Sequence, residues 1–364
     1  MSMIITRADG SERKVSGYMY AAPKAGTKEY DVKSARVKQL PPKVDLRAYM
    51  TNVEDQGQLS SCTANAVAGA YEYLVKRHWG EESYDVSRLF IYYNARAEKD
   101  QTIEDEGSVI SLAIEGLKKH GACSEEVWPY DPDCVNEVPS DEAYEHAANF
   151  LVEDVAHVPT DLKAWKQCLA EGSPIIFGIS LYKSFDSQRK KGMVPMPSST
   201  EKSRESHGGH AMLAVGYSDP DKLFIVRNSW GNSWGDNGYC YIPYDYLVNP
   251  DFNHGDSWII RQLENFEVDE EVWGDDSSII PELDTELANM SEAAFSALLD
   301  AMGDHPLEFR IGLILLRAAS ADGNLGDEEY ESISAYMTRI LEQLGVEMSA
   351  EKILRHCAKD FKDD

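Results

Sequence analysis

Cys62 opens an apolar run continued by Ala66, Val67, Ala68, Ala70, Tyr71 and Leu74, and this spacing predicts a helix with Cys62 at or just inside its N-terminus. Helical patterning returns over Ser87–Arg96, Val109–Lys118 and Asp161–Glu171. Beyond Pro174 the pattern changes to short continuous apolar runs, Pro174–Ser180, Ala211–Gly216, Leu223–Asn228 and Tyr239–Pro243, which predict buried strands. Helices first and strands afterwards make an α+β domain over residues 40–263. Residues 1–39 are polar, punctuated by Gly10, Gly17, Pro23 and Gly26, and predict an extended arm. Residues 264–281 are acidic and poorly periodic and form the expected linker. In residues 282–364, Phe295, Leu298, Leu299 and Met302, then Tyr330, Ile333, Met337, Ile340, Leu341 and Leu344, return to helical spacing and predict a small all-α domain.

A thiol at a helix N-terminus meets the positive end of the backbone dipole, which favours the thiolate. Cys62 is therefore a candidate nucleophile, although a cysteine on an apolar helix also serves as plain packing. Gln56, six residues earlier, carries an amide able to donate to an oxyanion, and the Cys62 backbone N–H is a second donor. His210 leads the run Ala211–Gly216, where a sheet can hold its ring facing a cleft. Asn228 opens Asn228-Ser229-Trp230-Gly231-Asn232-Ser233-Trp234-Gly235-Asp236-Asn237-Gly238-Tyr239, the most specific stretch of the chain.

In order, Gln-x5-Cys, His-Ala-x3-Val-Gly-Tyr and Asn-Ser-Trp-Gly-x2-Trp-Gly-x2-Gly-Tyr resemble the papain-like cysteine peptidases. Leu40-Pro41-Pro42-Lys43-Val44-Asp45-Leu46-Arg47 resembles the start of the mature enzyme, and the wording around Gln56 and Cys62 is most similar to bacterial, non-lysosomal members. The resemblance implies a two-lobed fold, a helical lobe carrying Cys62 and a β-rich lobe carrying His210 and Asn228, and hydrolysis of a polypeptide without cofactor or metal. It further implies that Trp230 shields the His210–Asn228 pair and that Gly107 and Gly209 line the substrate path, where a side chain would hold a peptide backbone off. A turn is the alternative role for Gly107. Thr63 stands where an aromatic follows the nucleophile in much of the family, and Gly209 where an aspartate is frequent. His207 precedes glycines rather than the strand and reads as a loop residue, and Lys190–Gly209 reads as a surface loop beside the cleft. In the family a helical inhibitory prodomain often precedes the mature start; this arm shows no long amphipathic helix and is expected to pack along the catalytic domain.

The net charge of −28 and pI of about 4.6 argue against a nucleic-acid backbone or an anionic membrane as partner. Six cysteines without a Cys-x2-Cys pair give no zinc-ribbon spacing. Secretory relatives pair a cysteine three positions before the nucleophile with one near the substrate-binding glycine; Leu59 and Asp105 occupy those places here, which suggests a reducing compartment. Cys123 and Cys134 are close enough in sequence to pair under an oxidant, with two ordinary thiols as the alternative. No Sec-type signal and no membrane-length apolar run is visible, so the expected location is cytoplasmic, with signal-independent secretion still open.

The last 101 residues hold 25 acidic and 7 basic side chains. Ala319–Glu329 resembles the turn between helices of TerB-like domains. A calcium loop beginning at Asp322 would need glycine and glutamate where Asp327 and Ile333 stand, so calcium is not expected. A protein partner for this acidic domain is an open expectation. Two other readings use the same sequence differently: an acyl transferase or peptide ligase working through the same thiol, and an adaptor acting through the C-terminal domain.

Overall fold

A computed structural model describes residues 3–6, 12–263 apart from 38, 81–83, 99–102, 149–150, 187–190 and 204–206, and, further on, 311–316 and 327–360 apart from 313 and 345–348. The chain divides into two compact units, Met1–Ile280 and Pro281–Asp364. The linker over 264–281, the Phe295–Met302 stripe and most of the TerB-like turn lie outside the described residues.

In the first unit three helices come first: α1 (Cys62–Trp79), α2 (Arg88–Ala97) and α3 (Ile110–His120). α1 is apolar on most sides because it runs through the middle of the unit, with Val67, Ala68, Tyr71 and Val75 all buried. Gly69 sits where α1 crosses the sheet; a Cβ there would meet Leu213 and Arg227 at 3.3 Å. Two charges are locked in the same interior. Glu72 accepts from Thr51 Oγ1 at 2.6 Å and from the Val86 N–H at 3.0 Å, and the Arg88 guanidinium stacks 3.9 Å from the Tyr130 ring centre while pairing with Glu54 and Glu125.

The sheet contains β3 (Lys43–Asp45), β4 (Val152–His157), β5 (Ile175–Leu181), β6 (Gly208–Ser218), β7 (Leu223–Arg227), β8 (Tyr239–Pro243) and β9 (Asn253–Leu263). Its order is β4-β9-β5-β6-β7-β8, all antiparallel, with β3 pairing off this path onto the far end of β6. β5 and β7 are buried at every position, which explains their unbroken apolar runs. The expected loop over Lys190–Gly209 is corrected at its end: Gly208 and Gly209 already belong to β6, paired with Leu181 and Ser180, so His210 lies inside a strand. Two glycines read as a loop, but backbone pairing across the sheet outweighs their weak strand propensity. α4 (Asp141–Ala147), α5 (Leu162–Ala170), α6 (Ser199–Ser203) and α7 (Tyr244–Leu247) complete the unit, α4 and α5 capped by Ser140 and Asp161.

The arm is partly a sheet of its own, β1 (Met3–Thr6) against β2 (Glu12–Val15), with Met3, Ile5 and Val15 buried. From there it runs across the unit. Tyr30 pairs with the backbone of His157 at 2.8 Å and its hydroxyl donates to Glu171.

In the second unit, α8 (Asp327–Leu344) and α9 (Ala350–Asp360) bury Ile333, Met337, Leu341, Ile353, Leu354 and Cys357 with Leu316. Among the described residues no helix is long and apolar enough to cross a membrane.

Candidate active site

Cys62 is the first residue of α1, and Ser61, the capping residue, makes no side-chain cap. Its hydroxyl is bonded instead to the Tyr130 hydroxyl at 2.6 Å, so no capping side chain claims the first-turn N–H groups around the thiol. The sulfur is hydrogen-bonded by the backbone of Thr63 and by that of Ala211, the residue that follows His210 on β6.

His210 is buried, and its Nε2 lies 2.8 Å from Asn228 Oδ1. That oxygen also accepts the Ser229 N–H at 2.9 Å, which fixes which end of the amide faces the ring. An amide oxygen only accepts, so Nε2 carries the proton and Nδ1 is the nitrogen left for proton exchange. Trp230 covers the pair, its ring centre 5.3 Å from that of His210, and packs edge-on against Trp234 at 5.0 Å. The Asn228 Nδ2 is buried without a hydrogen-bond partner.

Gln56 is held on both sides. Its Oε1 accepts from Ser229 Oγ at 2.6 Å and its Nε2 donates to the Leu59 carbonyl at 2.8 Å, which orients the amide and leaves one further N–H. Gly107 has φ +98° and donates its N–H to the Tyr92 hydroxyl at 2.9 Å; the backbone edge beside it belongs to Ser108. Thr63 Oγ1 donates to the Ser108 carbonyl, tying α1 to that edge. Asp105 accepts from the Ser60 N–H at 2.9 Å and from Tyr92 at 2.7 Å, so a carboxylate joins the two loops where secretory relatives are expected to carry a disulfide. All six cysteines are free thiols, Cys123 and Cys134 included. His207 lies just before β6, with its ring 5.7 Å from that of Tyr182.

The arm lies across this arrangement. Ser108 pairs with it in parallel, its N–H donating to the Gly17 carbonyl and its carbonyl accepting the Met19 N–H, both at 3.0 Å. A Cβ on Gly17 would fall 2.8 Å from Cys62 Sγ and 2.5 Å from the Ser60 carbonyl oxygen, so bare backbone passes directly over the thiol. Gly208 and Gly209 make room on the other side, where added Cβ atoms would meet the Val15 and Tyr18 carbonyls at 2.6 and 2.7 Å. Arg13 pins the start of the crossing through Asp55 at 2.7 Å and the Gly57 carbonyl at 2.8 Å. Under this cover Cys62 has no solvent exposure. Burial pushes its thiol up to about 11, offset in part by the backbone hydrogen bonds, and burial pulls His210 down to about 4, against the Asn228 hydrogen bond. Both shifts favour the neutral forms of the thiol and the imidazole while the site is covered, whereas the helix N-terminus alone led to an expectation of thiolate.

The sequence reading named Cys62, His210, Asn228, Gln56, Trp230, Gly107 and Gly209. It gave no site role to Tyr18 or Ser108, and took Gly17 only as a break in the arm and Asp105 only as the occupant of a disulfide position. A tyrosine beside a glycine in an otherwise polar arm was the one available signal.

The family model for papain family cysteine proteases matches residues 40–249. The chain belongs to this family. Its relatives include an uncharacterized peptidase C1-like protein of Acanthamoeba polyphaga mimivirus, 40% identical over 221 residues, covering 57% of this chain and 69% of the viral one. Human cathepsin L2 is 30% identical over 215 residues, which span 61% of its length. Among solved structures, xylellain, a cysteine protease from Xylella fastidiosa, superposes with a TM-score of 0.62 at 34% identity, covering 72% of this chain and 98% of that one. As a papain-family chain, the protein carries its matched domain within the first compact unit.

Proposed function

We propose that this papain-family chain hydrolyses peptide bonds through Cys62, His210 and Asn228, and that its own arm keeps the site closed. The observation that carries the reading is the 2.8 Å pair between His210 Nε2 on β6 and Asn228 Oδ1 just after β7, with the Ala211 backbone beside it bonded to the thiol at the start of α1. With the arm lifted, water reaches both groups and the burial that holds them neutral is relieved. Cys62 then gives its proton to His210 Nδ1, and the thiolate attacks the carbonyl carbon of the substrate. The oxyanion receives the Cys62 backbone N–H and the second N–H of the Gln56 amide. His210 returns the proton to the leaving amine, and water, deprotonated by the same imidazole, cleaves the thioester to release the acid and the free thiol. Asn228 holds the ring with Nε2–H engaged, and Trp230 keeps water from that bond.

The arm supports the polypeptide assignment because it is itself a polypeptide lying in the cleft, paired by backbone to Ser108 and passing bare over the thiol. The test is labelling with an epoxide probe selective for papain-like enzymes, mapped by mass spectrometry, together with turnover of peptides in the presence of an added amine. Labelling confined to Cys62 and lost in His210→Ala, with water as acceptor, supports the reading. Equal labelling of several cysteines, or amide products in place of acids, overturns it.

A further inference from the structure

Asp256 is a buried carboxylate with no part in the chemistry above, yet it faces the cleft. It has no solvent exposure, and its Oδ1 accepts the Trp258 Nε1–H at 2.6 Å. Oδ2 accepts the hydroxyl of the arm's Tyr18 at 3.0 Å. The sheet is irregular at this point: Phe177 pairs with Ser257 and Ile179 with Asn253, so the three residues His254, Gly255 and Asp256 of β9 oppose the single Gly178 of β5. Gly255 takes φ +80° in that bulge. A bulge of this kind re-aims a side chain, and here the Asp256 carboxylate meets the Tyr18 hydroxyl.

Gly178 completes the slot. A Cβ there would overlap the Tyr18 ring, at 1.9 Å from Cζ and 2.2 Å from Cε2, so the missing side chain is the room the ring occupies. Tyr18 follows Gly17, the residue over Cys62, so the slot lies one residue from the point of attack. The arm therefore fills a shaped pocket: a flat wall of bare backbone and a carboxylate acceptor at the depth of a phenol hydroxyl.

We infer that Gly178 and Asp256 form a tyrosine-reading pocket beside Cys62, which takes the side chain of a tyrosine in the polypeptide being cut and is filled by Tyr18 when the arm is closed. The inference rests on the peptidase reading for its substrate and on the arm's own geometry for its shape. Phenylalanine fits the same slot but leaves Oδ2 buried without a donor, a loss that sites built to bond a hydroxyl convert into strong discrimination. The phenol of Tyr18 is held protonated by burial and by the neighbouring carboxylate, so it stays a donor.

Two measurements test this. In the full-length chain, Tyr18→Phe removes the hydroxyl donor from Asp256, which keeps the Trp258 N–H, and weakens the arm's hold, so iodoacetamide should reach Cys62 on the order of ten-fold faster than in wild type; an unchanged rate overturns the pocket. In the full-length chain opened by Gly17→Ala, matched peptides with tyrosine or phenylalanine scanned through each position should show one position where tyrosine raises kcat/KM by about ten-fold or more. Asp256→Leu in that background should bring the ratio to near one while phenylalanine peptides are still cut, and Asp256→Asn, which keeps an acceptor, should restore part of it. A ratio near one at every position, a ratio untouched by Asp256→Leu, or a preference for lysine or arginine there overturns the pocket. Should Asp256→Leu fail to fold, the parent ratio and the Tyr18→Phe rate decide. Cys62 labelling without cleavage of any peptide counts against hydrolysis and leaves the Tyr18→Phe rate to judge the pocket; cleavage indifferent to tyrosine counts against the pocket alone.

Discussion

Gly17→Ala is the smallest change that separates the arm from the thiol. The new Cβ would lie 2.5 Å from the Ser60 carbonyl oxygen, which is backbone at the foot of α1 and has little freedom to move. Gly17 is not among the positive-φ glycines, so alanine adds a clash and no backbone strain of its own. Overpacking of this kind costs about 1–3 kcal/mol, which placed on the closed form raises the exposed fraction about 5- to 150-fold. The two Ser108 hydrogen bonds to Gly17 and Met19 share that cost and should break together. Full release should also shift the titration of the thiol, since burial pushes Cys62 up to about 11 when covered against an ordinary value of 9.0. Two units correspond to about 100-fold more thiolate at pH 7, or about 2.7 kcal/mol, before the ion pair with His210 adds to it. The assay is iodoacetamide labelling of Cys62 against pH, followed by peptide mass spectrometry, in wild type and Gly17→Ala. The expected result is a rate at pH 7 that rises by one to two orders of magnitude and a midpoint that falls from near 11 to 9 or below. Equal rates with equal midpoints would refute the claim that the arm buries the nucleophile.

The imidazole gives a second handle with the opposite sign in pH. His210 titrates at about 4 when covered and at an ordinary 6.5 when free, so the closed form is favoured fully above 6.5 and loses about ten-fold in its ratio to the open form for each unit the pH falls from there toward 4. A thiol reagent that reacts in acid, such as dithiodipyridine, should therefore find Cys62 increasingly accessible below pH 6, and the trend should vanish in His210→Ala. In the opened enzyme Gln56→Ala should lower kcat by on the order of 10² to 10³ with the fold intact, and Asn228→Ala should cost less than Cys62→Ala; unchanged turnover in Gln56→Ala would remove it from the oxyanion site. A chain ending after residue 263 should keep its turnover of a short peptide within a few fold, because the second unit has its own buried core around Met337 and Ile353; loss of folding on that truncation would tie the two units together.

Long periodic segments carried most of what was legible in the sequence. α1, with Cys62 at its start, and the runs that became β5, β7 and β8 are buried so completely that their apolar pattern leaves little choice of element. His210 and Asn228 were readable from the specificity of the stretches they open. The arm was legible as a segment but not as a cover, because β1 and β2 are four residues each and the contacts at Gly17 and Tyr18 join positions far apart in sequence. Asp256 was invisible for a related reason: a polar Asn253–Asp256 segment gives no period-2 signal, and only the bulge against Gly178 gives its carboxylate a direction. The covered thiol's high pKa was likewise beyond a local reading, since the helix N-terminus is local and the burial comes from residues more than forty positions upstream.

β6 holds the arm twice. At one end Gly208 and Gly209 receive Val15 and Tyr18, and at the other Gly216–Ser218 pair with Lys43–Asp45, the first strand after the arm. An arm lifted from the thiol thus remains fastened to the strand that carries the imidazole. Its return is intramolecular, at an effective concentration that short tethers set in about the millimolar range. Dilution cannot relieve such a blockade, and a soluble peptide must outcompete it locally to enter. Opening that lasts calls either for a change that weakens the closed contacts themselves, as at Gly17, or for a cut in the link between Gly17 and Lys43.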